Sequence, residues 1–544
     1  MPSPTGGRLT VKKGNEMKDI LTKKQYRILL LVLGAVLMGL TLTTAGKLGF
    51  LQWVAFVPSI IALTAIADDN KTKMIGAYGW GFLFYMALYV VVYHWFWSMY
   101  PLDFTGLSPL YALCVILLAN FGLPIFAALP GGFVFVLFVL VRRCKFFEDR
   151  KWLSYVVLAF SYAVFEWTQT LFFTGVPWGR LSIGQVENSF VICSVAFFGS
   201  YFLSFAIVLV NALIAYAILH KRKLGYAAAA SAFSVVLLLG IIANLLTYTG
   251  GERVKAAAIQ GNMASQEKWG SDGMKIAADI YTRITEDAVA EGAQIVVWPE
   301  SVFPASVENK TAVRCVTSLT SKYDIDLFYG TLVYEDENYN AIVHASDGEI
   351  HLDNMYYKRH LVPFGEYVPY RDFIRVVFPM LDQVSMLNSD TSAGNDSCIF
   401  NTKYGKVGSL ICFDTIYEDA SLDAVRDGAE LIVIGTNDSW FFDSAAVYMH
   451  NAQARIRACE TGRYVVRSAN TGVSSIINAR GEIIDMEDAL VEGYVIGDIE
   501  MRDDRTLYSY CGNLFVTLSA VVCACFLGGC IYSCVLARRE EKTK

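Results

Sequence analysis

Charge is the scarcest ingredient of this 544-residue chain. Asp, Glu, Lys and Arg together make up 18%, against about 25% in soluble globular proteins. The net charge is -6, so there is no bulk electrostatic reason to bind nucleic acid. Twelve cysteines in 544 residues are too few for a disulfide scaffold. Several of them (Cys114, Cys193, Cys523, Cys525, Cys530) lie in long apolar runs, where cysteine packs as a small hydrophobe. There is no tandem repeat of short period and no low-complexity linker. No G-x-S-x-G motif marks a serine nucleophile. The histidines lack the paired spacing of metal ligands, so neither a metal nor any other cofactor is expected.

What the chain has in abundance is apolar sequence. Hydrophobic residues reach 54% and mean hydropathy is +0.40. Apolar stretches at roughly 26–45, 49–67, 75–98, 109–141, 152–174, 189–219, 225–248 and 513–536 mostly reach the ~20 residues a helix needs to cross a bilayer. Lys and Arg cluster on alternate sides of these stretches. One side holds the N-terminal residues up to Arg27, then Lys71 and Lys73, the run Arg142–Lys151, Lys221–Lys223 and the C-terminal tail. The short loops of the other side carry only Lys47 and Arg180. The positive-inside rule then gives eight crossings with both termini cytoplasmic. Splitting 109–141 at Pro124 or Pro130 would break the alternation, so it is read as one long helix. The first stretch lacks a cleavage-site pattern and is followed at once by another span, unlike a signal peptide. The expected division is a tail (1–25), seven transmembrane helices (26–250), an extracytoplasmic domain (251–505), and a last helix with its cytoplasmic tail (506–544).

Residues 251–505 read as α/β. Short β-branched runs (Val254–Ile259, Gln294–Trp298, Leu327–Leu332, Val407–Cys412, Leu431–Ile434, Tyr464–Ser468, Ser474–Asn478) alternate with helical stretches such as Lys275–Glu291 and Ala446–Thr461. Three strand ends carry reactive groups, and strand ends are where open α/β sheets build sites. Glu300 ends the run Ile295–Glu300. Lys358 lies among aromatics in Tyr356–Glu366. Cys412 closes Gly408–Cys412 before a helix-like stretch at Tyr417–Arg426, where a helix N-terminus and a cation could ionise the thiol. Taken singly, each has a plainer reading: a loop glutamate, a snorkelling lysine, an inert buried cysteine. Taken together they suit acyl transfer. Glu300 would accept the thiol proton and Cys412 would attack a carbonyl. Lys358 and the N–H after Cys412 would stabilise the oxyanion.

In this order, these motifs resemble the nitrilase superfamily, whose members carry a Glu-Lys-Cys triad on an α-β-β-α sandwich. Thr436–Phe441, His450–Tyr464, Arg467–Gly472 and Gly481–Ile483 extend the likeness. With seven spans before the domain and one after it, the layout is similar to the apolipoprotein N-acyltransferase family. Gln260-Gly261-Asn262 with Trp269, Val176–Gly179, and above all Leu361–Glu366 fit that family too. The resemblance implies that Cys412 takes a fatty acyl chain from a phospholipid donor as a thioester. The acceptor would be the α-amine of a diacylated apolipoprotein. It also implies that Glu366 positions Lys358 or the substrate, and that Trp269 is a mobile aromatic near the cavity or plain packing. The family usually shows Tyr then Glu after the nucleophile. Here Phe413 and Asp414 stand there, one hydroxyl fewer and one methylene shorter, at positions expected to bind or place substrate. The apolar stretch Phe373–Leu387 is read as a lid or membrane-dipping arm, with a core helix as the alternative. A membrane-bound nitrilase-like amidase is the second enzymatic reading. A transporter is the third, with Glu166 as the clearest intramembrane charge. Oligomeric state, and any pairing of Cys315 with Cys398, stay open.

Overall fold

The structure is a computed structural model that describes residues 20–103, 106–171, 175–247, 253–377 and 390–543. Apolar helices form one end of the molecule. Among the described residues, seven are long and apolar enough to cross a membrane: Lys24–Thr43, Gly49–Asp68, Met74–Val92, Pro109–Arg143, Val195–His220, Lys223–Leu246 and the helix that begins at Leu514. The sequence implied eight. The stretch expected at 152–174 instead forms Leu153–Thr168, 16 residues long, which spans only about 24 Å at ~1.5 Å per residue. Its helix stops at Gln169, whose amide donates to the Tyr89 hydroxyl (2.6 Å), and Pro177 disfavours helix just beyond. Pro109–Arg143 is continuous over 35 residues despite Pro124 and Pro130. Gly81 and Gly132 let it approach Met74–Val92 closely, since a Cβ on Gly81 would lie 3.0 Å from the Gly132 carbonyl oxygen.

Some of the basic residues that mark one side of the bundle also hold it together. Arg142 grips Asp68 with two bonds of 2.7 and 2.8 Å. Arg143 donates to the carbonyls of Ala67, Thr72, Ile66 and Asp69. Cations on terminal carbonyls complement the negative ends of both helices.

The second part is a sandwich of twelve strands: β1 (Arg253–Gln260), β2 (Ile295–Val297), β3 (Asp326–Tyr334), β4 (Asn338–Ser346), β5 (Glu349–Tyr357), β6 (Ile399–Thr402), β7 (Gly405–Ile411), β8 (Leu431–Thr436), β9 (Tyr464–Ala469), β10 (Ser474–Ile477), β11 (Ile483–Glu487) and β12 (Gly493–Glu500). One sheet runs β12-β1-β2-β3-β4-β5 and the other β11-β10-β9-β8-β7-β6. Each has three parallel central strands, β1–β3 and β7–β9, with antiparallel margins. The parallel strands are apolar on both faces because both faces are covered. Val254, Val297, Phe328, Val407, Val433 and Val466 fill the space between the sheets. Helices Gly273–Ala290 and Lys310–Lys322 cover the first sheet. Helices Glu418–Arg426 and Ala445–Thr461 cover the second. The layers are therefore α-β-β-α.

Helix Ala445–Thr461 joins the two parts. Its Ala446, Met449, Ala452 and Ile456 share one apolar core with the bundle, together with Phe413 and Tyr417. Buried ion pairs reinforce the seam. Arg180 meets Glu418 at 2.6 Å, and Glu418 also accepts from the Tyr201 hydroxyl at 2.7 Å.

Candidate active site

Glu300, Lys358 and Cys412 follow β2, β5 and β7, on strand ends of both sheets. Close backbone approach makes room for the first. A Cβ on Gly330 would lie 2.5 Å from the Pro299 carbonyl oxygen and 2.6 Å from the Glu300 Cα. Only glycine fits there without displacing the turn that carries Glu300.

The charged groups interlock. Lys358 Nζ lies 2.9 Å from Glu300 Oε1 and 2.8 Å from Glu366 Oε2. Asn340 Nδ2 donates to both carboxylates, at 2.6 Å to Glu300 and 3.0 Å to Glu366. The Asn437 N–H donates to Glu300 Oε2 at 2.9 Å, and the Val362 N–H to Glu366 Oε2 at 2.9 Å. Lys358 is 1% exposed. Burial alone would depress an ammonium, but the Glu300 and Glu366 carboxylates outweigh it and hold Lys358 well above the usual lysine range. It is a fixed cation with two carboxyl groups around it.

Cys412 behaves differently from the sequence expectation. Burial pushes its thiol up, the Glu300 charge adds to this, and Lys358 only partly opposes it. The resting group is a thiol rather than a thiolate. The expected helix dipole is also missing from the sulfur. Cys412–Ile416 is a short 3-10 turn, Tyr417 is extended, and the α-helix begins only at Glu418. Cys412 itself sits at φ +47, a left-handed conformation that costs a non-glycine residue about 1 kcal/mol or more unless its surroundings impose it.

Asp414 does much of the imposing. It is fully buried and accepts from the Ile411 N–H (3.1 Å), the Tyr356 hydroxyl (2.8 Å), and the N–H groups of Arg359 (3.2 Å) and His360 (2.7 Å). It thus ties the chain beyond Lys358 to the turn carrying Cys412. All of these bonds come from the protein itself, so Asp414 braces the turn that carries Cys412. Asp414 and Asp419 lift His360, against its burial, to about 9, and its ring stacks on Tyr417 at 4.0 Å. Phe413 packs edge-on against Tyr417 at 5.6 Å, within the core shared with the bundle. Trp269 is 57% exposed at the end of the turn Ser265–Lys268 and adds no core packing. In the expected arm, helix Arg371–Val377 leaves Phe373 and Val376 exposed, unlike a core helix. Phe378, Met380, Leu381, Met386 and Leu387 lie outside the described residues.

Several neighbours carried no sequence signal of their role. Asn340 bridges the two carboxylates from β4, a strand with no motif. Lys268 is 3% exposed, and burial lowers it to about 8, against the pull of Glu300. Cys412, Asp438 and His450 bring three potential ligand atoms within 4.8 Å of one another. They come from three separate elements, so spacing could not show it. His450 already hydrogen-bonds Asp438 and the Cys412 carbonyl, and Arg467 holds the other carboxylate oxygen. His450 and Asp438 are thereby committed to a hydrogen-bonded network. Cys315 and Cys398 are both free thiols. They contact Thr282 and Asn354 respectively and do not pair.

Residues 255–507 match the carbon-nitrogen hydrolase family, which fixes the class of the sandwich. Residues 34–213 match the apolipoprotein N-acyltransferase N-terminal domain. Over 499 residues the chain is 30% identical to the apolipoprotein N-acyltransferase of Gloeobacter violaceus, covering 91% of this chain and 92% of that one. It is 28% identical over 551 residues to the apolipoprotein N-acyltransferase of Geobacter metallireducens, covering 96% and 97%. The chain belongs to the apolipoprotein N-acyltransferase family.

Proposed function

We propose that this enzyme moves a fatty acyl chain from a membrane phospholipid to Cys412, and from there to the N-terminal α-amine of a diacylglyceryl-cysteine on an apolipoprotein. The observation that carries this reading is a buried thiol beside a carboxylate–ammonium pair, on a turn that shares its apolar core with the helix bundle. Phe413 and Tyr417 meet the bundle there, and Trp95 and Trp178 flank Phe441. A lipid-borne ester reaching this rim would need no passage through water.

As Sγ attacks the ester carbonyl, Glu300 takes the thiol proton, which a raised thiol pKa keeps in place until a carbonyl arrives. The ammonium of Lys358 and the N–H of Phe413 stabilise the oxyanion. The lysophospholipid alkoxide leaves with the proton from Glu300. In the second step the amine attacks the thioester, Glu300 accepts its proton, and Sγ leaves and is reprotonated. Glu366 and Asn340 keep Lys358 aimed, and the bundle holds both lipid-anchored substrates beside the sulfur. Exclusion of water protects the thioester from hydrolysis.

Eight crossings serve this layout, with Leu153–Thr168 as the short fifth. That helix is tied to its neighbours at both ends. At one end Tyr155 meets Thr64 (3.1 Å) and Arg142. At the other, Glu166 accepts from the Leu181 N–H (2.9 Å), near the seam. Both termini are then cytoplasmic, 26–250 and 506–544 hold the membrane helices, and 251–505 is the extracytoplasmic catalytic domain.

The test is mass spectrometry of the purified enzyme after exposure to labelled phospholipid, before any amine is added. An acyl adduct on Cys412, absent in Cys412→Ala and discharged onto a diacylated lipopeptide, is expected. Label retained by Cys412→Ala would overturn the nucleophile. Free fatty acid as the product in the presence of lipopeptide would make the enzyme a hydrolase.

A further inference from the structure

Behind the nucleophile turn runs a line of buried polar groups with no part in the chemistry above. His450 lies on helix Ala445–Thr461 and is 1% exposed. Its Nε2 is 3.0 Å from the carbonyl oxygen of Cys412 and its Nδ1 is 2.8 Å from Asp438 Oδ1. Arg467 donates to Asp438 Oδ2 at 2.7 Å and approaches His450 Nδ1 at 3.1 Å. Trp178, from the bundle, packs at a tilt against the imidazole with ring centres 5.6 Å apart.

A carbonyl oxygen can only accept, so the Nε2 contact makes the imidazole a donor to Cys412. With Nε2 committed there, His450 is not a base for the sulfur. Its effect passes through the backbone. A trans peptide is planar, with C=O and the following N–H pointing in opposite directions. Holding the Cys412 carbonyl on one side therefore aims the Phe413 N–H to the other. Cys412 is also the residue in the left-handed conformation, where the peptide plane has no local preference to keep it in place. The line Arg467–Asp438–His450 anchors it to β9, to the loop after β8 and to the helix on the bundle.

We propose that His450, braced by Asp438 and Arg467, is a positioning residue that fixes the Cys412–Phe413 peptide so that its N–H meets the acyl oxyanion. The proposal rests on Cys412 being the nucleophile. Loss of positioning of this kind lowers the rate of acylation and leaves donor binding alone, because the hydrogen bond matters only once the oxyanion forms.

The experiment is single-turnover acylation of the full-length enzyme by labelled phospholipid at a series of donor concentrations, read as acyl adduct on Cys412. His450→Phe keeps a ring but removes the donor, and should slow acylation about 100-fold with half-saturation within about twofold of wild type. His450→Gln restores an N–H donor within reach of the same carbonyl, and should recover at least about tenfold of that loss. Asp438→Asn leaves an acceptor for the imidazole and should fall between. Acylation by His450→Phe at the wild-type rate, a loss confined to half-saturation, or a Gln variant no better than Phe would overturn the proposal. If His450→Phe does not fold, the other two decide. Slowed turnover at unchanged half-saturation supports the role, and wild-type rates in both refute it. A wild-type enzyme with no adduct on Cys412 would sink the nucleophile reading itself, a result separable from indifferent His450 variants on an acylated wild type.

Discussion

The two sheets of the sandwich have the same plan, yet what covers them differs. Helices Gly273–Ala290 and Lys310–Lys322, on the first sheet, keep a polar outer face, and their ion pairs are solvated. Arg283 meets Glu492 at 2.6 Å with both side chains about half exposed (55% and 41%), and Lys322 meets Glu286 at the surface. On the second sheet, helix Ala445–Thr461 is buried throughout from Met449 to Thr461, because the bundle covers its other side. The pairs there are enclosed: Arg180–Glu418 at 0% and 4% exposure, and Arg457–Glu460 at 2.9 Å with both fully buried. One sheet supplies the charged groups of the site, Glu300 and Lys358. The other supplies the thiol and is the one fixed to the membrane part. The sulfur's place relative to the bundle is thus set by the seam, while the carboxyl group and the ammonium near it come from the opposite sheet.

Glu300→Gln breaks the contribution of the first sheet most sharply. The amide oxygen can keep the Oε1 bonds from Asn340 and Lys358, with only the Asn437 N–H bond to the other oxygen lost, so the fold should survive. The proton acceptor is gone, and single-turnover acylation should fall by about 10³-fold or more. Acylation within tenfold of wild type, measured as adduct on Cys412, would remove Glu300 from the role of base.

A matched pair of substitutions compares the covered faces. Arg180→Leu leaves Glu418 buried without its main cation, and loss of one partner of an enclosed pair costs about 3–5 kcal/mol. Arg283→Leu removes a surface pair worth about 1 kcal/mol or less. Thermal unfolding of the two variants in detergent should separate them by that margin. Equal midpoints would mean that the seam is no more tightly bound than the outer surface.

This contrast also explains what the sequence could reveal. Strands β1, β2, β3, β7, β8 and β9 were legible as apolar β-branched runs, because parallel strands covered on both faces leave an unbroken signal, and the antiparallel β10 was legible because all four of its residues are buried. Strands β4, β5 and β12 alternate or carry charge, as in His344, Asp353 and Asp498, and were not read. The long apolar helices were legible from hydropathy. Leu153–Thr168 was read too long because Leu171 and the phenylalanines after it continue the apolar composition past the residue where the helix ends. In the site, Glu300, Lys358, Glu366 and Cys412 stood out as reactive types within recognisable motifs. Asn340 and Lys268 did not, because their roles come from contacts across strands and loops far apart in sequence. Asp414 stands out in the sequence only as a residue that binds or places substrate. Its five inward bonds depend on where Tyr356, Arg359 and His360 fall in space, which no local pattern encodes.

His360 gives the finest test, since it links the two sheets: it follows β5 of the first and is held by Asp414 and Asp419 of the second. Its imidazolium is favoured in the folded protein, where it titrates at about 9, against 6.5 as the ordinary value. A raised folded value means that the bond to the carboxylates stabilises fully below about pH 6.5 and is lost as pH climbs through about 9. Asp419 is 48% exposed, so solvent screens part of the effect and about 1 kcal/mol is the expected size, or about 2–4 °C in midpoint for a unit of this length. Lys268 titrates at about 8 with the opposite sign: burial favours its neutral form, so rising pH relieves a cost. The difference between wild type and His360→Asn isolates the histidine. That difference should shrink steadily from pH 6.5 to 9.5. A gap that is constant across the window would mean that His360 joins the sheets through its ring stacking on Tyr417 alone.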